Sequence, residues 1–579
     1  MANLIQAAKD SVNEILQAAY RAAVEKGQLP AGAALAGTVE IPKDTANGDF
    51  AANHAMTGAR ALRMAPRRIA EILIENAELA GTWFDSLEAA GPGFLNFRLS
   101  ARWYADVLAA VRTEGADYGR LDEGQGRTVM VEFVSANPTG PMHMGNARGG
   151  VLGDALASVL DRAGYRVWRE FYVNDAGNQI EKFASSLDAR YQQLLLGEDA
   201  VAFPEDGYHG DDIRELAAAF LAEEGPGWLE RPEADRHAAL AAFGLAHNIP
   251  RMQCDLRRYG IEYDRWFFES ELHASGYVAA SVQALAERGW IYEKDGAQWL
   301  ATSRILADKL RQQGKSEEEI EKLELKDDVL RRANGFYTYF AADIAYHRNK
   351  LEQRGFDKAI NVWGADHHGH VARLKAALDA LGLDGEHRLD IVLMQLVKLT
   401  RNGEVVRMSK RTGKAISLTD LLDEIPVDAA RYFFNSRPES PVEFDLDLAV
   451  RQDSENPVYY VQYAHARICS LLAALEAEGC PVPETAELSL LTEPSERELI
   501  KQLAALPEEI RLAAQSYDPS RINKYVTELA ARFHRFYTAC RIKGAEAEIR
   551  DARLLLADCT RRVIALSLSI VGVSAPEKM

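Results

Sequence analysis

Residues 128–173, TVMVEFVSANPTGPMHMGNARGGVLGDALASVLDRAGYRVWREFYV, constrain the fold more than any other stretch. They open with the near-continuous apolar run TVMVEFV, the pattern of a strand buried on both faces. A Gly/Pro turn follows, then apolar residues at helical spacing, then a second strand pattern, RVWREFYV. Strand, turn, helix and strand in this order make a βαβ unit, in which the two strands run parallel and the helix starts at the carboxyl end of the first. A chain built round such a unit has an open parallel sheet, with ligands gathering where that helix begins.

The rest of the chain divides around this unit. Residues 1 to about 115 mix helical patterns with GDF and GPGFLNFRL, the latter a turn and then a strand that alternates Phe94, Asn96 and Arg98 with Leu95, Phe97 and Leu99. GADYGRLDEGQGR, rich in Gly and charge, reads as a linker. From about 190 to 275 helical segments broken at EDGYHGDD and EEGPGWLERPEAD interrupt the α/β pattern and read as an insertion. The pattern resumes with TYFAADIAYHRNK, the strand AINVWGAD and the helix VARLKAALDALG, and from about 455 it is helical almost throughout. The expected architecture is multidomain α/β: a small N-terminal α+β domain (1–115), a Rossmann-like catalytic domain (120–450) carrying the insertion, and an all-α C-terminal domain (451–579).

Composition excludes some classes. At 47% apolar and 26% charged residues the chain is an ordinary globular protein. No run approaches the roughly 18 apolar residues of a membrane helix, and the acidic amphipathic start argues against a targeting peptide, so a cytoplasmic chain without membrane contact is expected. Five widely spaced cysteines with no Cys-x-x-Cys pair suit neither a disulfide framework nor a structural zinc site. The net charge of −19 looks wrong for a nucleic-acid binder, yet from residue 501 onward 13 Lys and Arg face 9 acids, and phosphate recognition acts through local patches.

Two constellations carry chemistry. In PTGPMHMGNARGG (138–150) Gly and Pro let backbone approach a ligand, and the following helix offers N–H groups and a positive dipole end to phosphate. His143 and Asn146, three apart, can donate to nucleotide oxygens, and Gly145 leaves room for adenosine. Pro141 belongs to the same turn. Seen alone, this is a generic turn with a capping Asn. In VKLTRNGEVVRMSKRTGKAISL a hairpin-like turn precedes a loop of Lys, Arg, Ser and Gly, which could bring cations onto phosphates; Lys410 is the foremost candidate, with Met408 and Ser409 beside it. Alone, that loop is a solvated basic segment.

Taken jointly and in this order, HMGN and RMSKR resemble the two signatures of class I aminoacyl-tRNA synthetases. The longer strings VEFVSANPTGPMHMGNARG, YVNDAGNQI, YFAADIAYH, WGADHHGH and NPVYYVQYAHARI closely resemble bacterial arginyl-tRNA synthetases, essentially from end to end. The resemblance implies a ligase, with ATP and Mg²⁺, L-arginine and tRNA(Arg) as reactants. It implies arginine activation to an adenylate and transfer to the tRNA 3′ end, a monomer, an anticodon-binding C-terminal domain and an N-terminal domain that also meets tRNA. His143, Asn146 and Lys410 are the implied catalytic residues. Pro141, His143, Gly145, Asn146, Met408, Ser409 and Lys410 are the implied ATP contacts, and Glu132, Ser135, Asn137, Tyr339 and Asp343 line the implied amino-acid pocket.

The chemistry agrees, since a guanidinium is a planar fork of donors suited to edge-on carboxylates and an aromatic face, while Asn137 could take the α-amino group. Asn146 departs from the family's usual His, which removes any role needing a protonated imidazole there. Family members without the loop Lys carry a compensating one three residues before the tetrad; here that position is Gly140 and Lys410 is present. Asp366, His367, His368 and His370 are metal-ligand types, but their place after a strand favours contact with adenosine or the aminoacyl end, and no structural metal is expected. In the C-terminal region aromatic and basic residues interleave (Tyr459, Tyr460, Tyr463, His465, Arg467, then Arg532, His534, Arg535, Tyr537, Arg541), as bases and phosphates would require, although such stripes also build cores. Two other readings stay open: a different class I synthetase or an adenylate-forming relative using the same crevice, and an inactive paralogue that only binds tRNA.

Overall fold

The protein is described by a computed structural model covering residues 3–32, 35–365, 368–395, 397–406, 416–436 and 442–579. At its centre are five parallel strands. Thr128–Glu132 lies in the middle, with Arg166–Val173 and then Arg265–Phe268 on one side, and Lys358–Gly364 and then Leu389–Met394 on the other. Numbered along the chain the order is 3-2-1-4-5, the doubly wound order in which ligands bind where the connections switch direction. That switch point falls between Thr128–Glu132 and Lys358–Gly364.

Val129, Met130 and Val131 are all buried, as a central strand covered on both faces requires. Helix Met144–Arg162 returns the chain across the sheet. It comes unusually close: a Cβ on Gly153 would sit 2.1 Å from the Phe133 ring, so only glycine allows this helix to settle on the strand end.

The expected insertion is helical, but it starts earlier and ends earlier than 190–275. Asn178–Leu196, Asp211–Glu224 and Glu233–Arg258 pack round a small core of their own that includes Phe183, Tyr191, Ile213 and Phe220. Arg265–Phe268, inside the expected insertion, is the edge strand of the central sheet. Four residues are too few for a strand period to stand out between helices. Also absent from the sequence expectations is a three-stranded antiparallel sheet of Ile291–Lys294, Ala297–Leu300 and Asp328–Arg331 between the two sheet halves.

The N-terminal unit is α+β. Its antiparallel sheet runs Val39–Glu40, Phe50–Ala52, Phe94–Leu99, Phe84–Ala90, with Leu95, Phe97 and Leu99 turned to the core and Arg98 exposed. The C-terminal region is helical, including Pro457–Ala477, Ser520–Ala539 and Ala547–Ile570. The two ends of the chain meet. Lys501 pairs with Asp49 at 2.7 Å, and the Tyr118 hydroxyl donates to the Leu503 carbonyl at 2.9 Å.

A buried arginine ties the C-terminal region to the catalytic sheet. The Arg431 side chain, fully buried, donates to Asp154 on helix Met144–Arg162 (2.5 Å) and to the carbonyls of Tyr259, Gly260 and Val571. Arg431→Met strips a donor from two buried carbonyls, a third partly buried one and one carboxylate oxygen together, so it is expected to cost about 3–5 kcal/mol of stability. A denaturation midpoint equal to that of the unaltered protein would show that Arg431 is no such clamp.

Candidate active site

A cavity of about 440 Å³ opens at the switch point, beyond the carboxyl ends of the strands. Glu132 and Ser135 come from the end of Thr128–Glu132, Tyr172 from the next strand, Val362, Trp363 and Gly364 from the strand across the switch, and Tyr339, Asp343 and Tyr346 from helix Tyr339–Arg348. Asn146 of the tetrad lines it too.

The chain leaves the central strand through a strained turn. Val134 has φ 71° and Ser135 φ 43°, and the Ser135 N–H donates to the Phe133 carbonyl at 3.1 Å. A β-branched residue at positive φ costs on the order of 1–3 kcal/mol and persists mainly where function requires the geometry. Here the turn swings the Ser135 hydroxyl back to donate to Glu132 Oε1 at 3.0 Å, while Ser135 Oγ accepts from the Tyr172 N–H at 3.2 Å.

The two pocket carboxylates are in different situations. Glu132 is buried, and its Oε2 accepts from the Lys350 ammonium at 2.5 Å. Asp343 keeps 24% of its side chain exposed; its Oδ2 meets His370 Nε2 at 2.6 Å and its Oδ1 meets His347 Nδ1 at 3.0 Å. Burial alone would push the Asp343 carboxyl up, but His347 and His370 outweigh it and hold the group well below the usual carboxylate range. Asp343 is therefore ionised at neutral pH. Tyr339 is 47% exposed and stands between this cavity and a neighbouring one of about 550 Å³ lined by Arg332, Phe336 and His273.

Some expected residues lie elsewhere. Asn137 is exposed on the turn and is not part of the cavity wall, and Pro141 is exposed as well. His143 is the N-cap of its helix: its Nδ1 accepts from the Gly145 N–H at 3.1 Å, which leaves Nε2 to carry the proton and donate outward. The expectation that this helix offers free N–H groups to phosphate is not met. The Met144 N–H goes to the Ile416 carbonyl (3.0 Å), that of Gly145 to His143 Nδ1, and that of Asn146 to the His143 carbonyl (2.9 Å). The side chains of His143 and Asn146, with the helix dipole, remain for the anion.

Met408, Ser409 and Lys410 lie outside the described residues, as do Asp366 and His367. The flanks of the loop are described. An Asn402-Gly403 hairpin, with φ 51° and 76°, joins Val397–Arg401 to Glu404–Val405. On the far side, residues 416–418 pair with 142–144: Met144 N–H donates to Ile416 O, and Leu418 N–H to Met142 O at 2.9 Å. The end of the second constellation is thus bonded directly to the first.

The family descriptions that match are the arginyl tRNA synthetase N terminal domain at residues 6–99, the catalytic domain of class I (R) tRNA synthetases at 108–439, and the DALR anticodon binding domain at 461–579. The chain belongs to the arginyl-tRNA synthetases. It is 52% identical to the arginine–tRNA ligase of Acetivibrio thermocellus and 50% identical to that of Ruminiclostridium cellulolyticum, each alignment covering 100% of both chains. Among solved structures, a putative arginyl-tRNA synthetase from Campylobacter jejuni is 33% identical with a TM-score of 0.73, covering 83% of this chain and all of that one. The Thermus thermophilus arginyl-tRNA synthetase, at 22% identity, shares the fold over 98% of this chain with a TM-score of 0.71.

For an arginyl-tRNA synthetase, several residues around this pocket were not legible as such. Tyr172 and Glu269 line it, the Tyr172 hydroxyl donating to Glu269 at 2.9 Å, and burial raises the Glu269 carboxyl against the opposing effect of its Tyr172 and His273 contacts. Tyr172 sits in the string YVNDAGNQI; nothing in FFESEL marks Glu269. Of the four residues in the GADHHGH segment, His370 reaches Asp343. In the anticodon-binding region Tyr463 and Arg535 are exposed and Tyr459 stacks on Tyr463, while His465 is buried with its Nδ1 at 2.9 Å from the Pro576 carbonyl and belongs to the core.

Proposed function

We propose that this enzyme binds the arginine guanidinium against Asp343, with Glu132 and Ser135 framing the cavity floor and Tyr339 its open side. The observation that carries the reading is the ionised Asp343 carboxylate facing a cavity walled by Tyr172, Tyr339 and Tyr346, a match for a flat cation. ATP then lies along the tetrad, near Pro141 and Gly145. His143 Nε2 and Asn146 donate to its oxygens, and Met408, Ser409 and Lys410 are its further contacts. The arginine carboxylate attacks the α-phosphorus, pyrophosphate leaves, and a hydroxyl of the terminal tRNA ribose then attacks the adenylate carbonyl and expels AMP. Positioning and charge stabilisation carry both steps.

The donor set at the tetrad is imidazole and amide, which suits phosphate oxygens and does not fit a resident Mg²⁺, a cation that prefers carboxylates and water. We therefore assign Mg²⁺ to the ATP phosphates. Among the described residues no helix is long and apolar enough to cross a membrane, and the reading is of a cytoplasmic monomer. A charging assay with bulk tRNA and each amino acid in turn is expected to give arginine alone. Charging of another amino acid would overturn the pocket assignment, and tRNA binding without charging would leave only a binding module.

A further inference from the structure

Lys350 takes no part in the proposed chemistry, yet its position is unusual. The side chain is fully buried, where an ammonium is costly unless it is paired and hydrogen-bonded. Its Nζ donates to Glu132 Oε2 at 2.5 Å and to Asn361 Oδ1 at 3.2 Å, and lies 4.1 Å from the centre of the Tyr346 ring. It sits in the π-helical turn Asn349–Gln353 that follows helix Tyr339–Arg348, and such turns are rare and concentrate at functional sites.

The same helix face carries His347 and Asp343, one and two turns earlier. Asn361 Nδ2 donates to His347 Nε2 at 2.9 Å, and His347 Nδ1 faces Asp343, contacting both its carbonyl and its carboxylate. Glu132 and Asp343 are therefore the two ends of one chain of contacts: Glu132, Lys350, Asn361, His347, Asp343. Both oxygens of Glu132 are already engaged, Oε2 by Lys350 and Oε1 by the Ser135 hydroxyl.

We propose that Lys350 is a positioning residue for arginine recognition: it supplies the internal countercharge that holds Glu132 at the pocket floor, leaving Asp343 as the carboxylate that receives the guanidinium. The inference rests on the assignment of this cavity to arginine. A Glu132 without Lys350 would be a second uncompensated carboxylate, free to draw the guanidinium away from Asp343.

The test is a double-mutant cycle in the full-length enzyme, reading KM for arginine and for ATP in tRNA charging, with melting temperature as the control for folding. Lys350→Met is expected to raise the arginine KM by about tenfold or more with little change for ATP, and Lys350→Arg to keep most of the unaltered affinity. Lys350→Met/Glu132→Gln, which removes both charges and keeps the charge balance, is expected to bind arginine better than either single variant. An unchanged arginine KM in a folded Lys350→Met protein, or arginine and ATP KM rising together, overturns the proposal. So does a double variant no better than Glu132→Gln alone, and this arm still decides if Lys350→Met fails to fold. Asp343→Asn separates the two readings: if it leaves the arginine KM unchanged the pocket assignment itself falls, whereas a strong Asp343→Asn effect beside a silent Lys350→Met removes only the role of Lys350.

Discussion

Asp343→Asn should raise the arginine KM by roughly 30-fold to several thousand-fold, the range that corresponds to losing one partner of a desolvated charged pair, about 2–5 kcal/mol, while the KM for ATP stays close to its original value. The substitution preserves shape and removes charge. It also replaces one acceptor oxygen by an amide nitrogen, which has no favourable orientation toward both His347 Nδ1 and His370 Nε2. The effect is largest at this carboxylate because His347 and His370 keep it ionised across the neutral range and it retains open space in front of it. Arginine-dependent pyrophosphate exchange with tRNA present measures both constants, and equal losses for arginine and ATP would defeat the guanidinium assignment.

Lys410→Ala should slow adenylate formation by about 10²–10³-fold, the scale of losing one preorganised charge at a developing anion, with arginine affinity little changed. Lys410 lies outside the described residues, so the expectation rests on its flanks. Residues 416–418 are hydrogen-bonded to 142–144, which delivers the segment after the loop to the start of the tetrad helix. The hairpin ahead of it is bonded back to the sheet through Val406 N–H and Leu399 O at 2.9 Å. The role expected of Lys410 is toward phosphates bound at His143 and Asn146, not toward the arginine side chain. Single-turnover adenylate formation with saturating arginine is the measurement, and a rate equal to that of the unaltered enzyme would end the role proposed for Lys410.

The reading of the pocket was partly available from the chain alone. The run TVMVEFV marked a strand buried on both faces, and a carboxylate at its end, Glu132, stood out against that background. The partner of that carboxylate did not: Lys350 is 218 residues further along, in a segment whose pattern gives no sign that the side chain turns inward. His370 was visible only as one of four possible contacts, and its bond to Asp343 brings it to the pocket. Gly-rich sequence before a helix suggested free N–H groups for phosphate, but the residues that take them up, Ile416 and His143, are a distant segment and a capping side chain. Edge strand Arg265–Phe268 was hidden inside helical neighbours because four residues carry too little period.

Local patterns determined much of this protein. Strand and helix periods, the Gly/Pro and Asn-Gly turns and the two short constellations depend on residues a few positions apart, and they led to the α/β core, the helical C-terminal region and the synthetase family. Tertiary structure decided which charges are spent inside the protein and which are left for a ligand. Of two carboxylates that looked equivalent, Glu132 is neutralised by a buried lysine and Asp343 is held open by two imidazoles. That difference is a matter of which groups meet across the switch point of the sheet, at separations where no local period in the chain carries information.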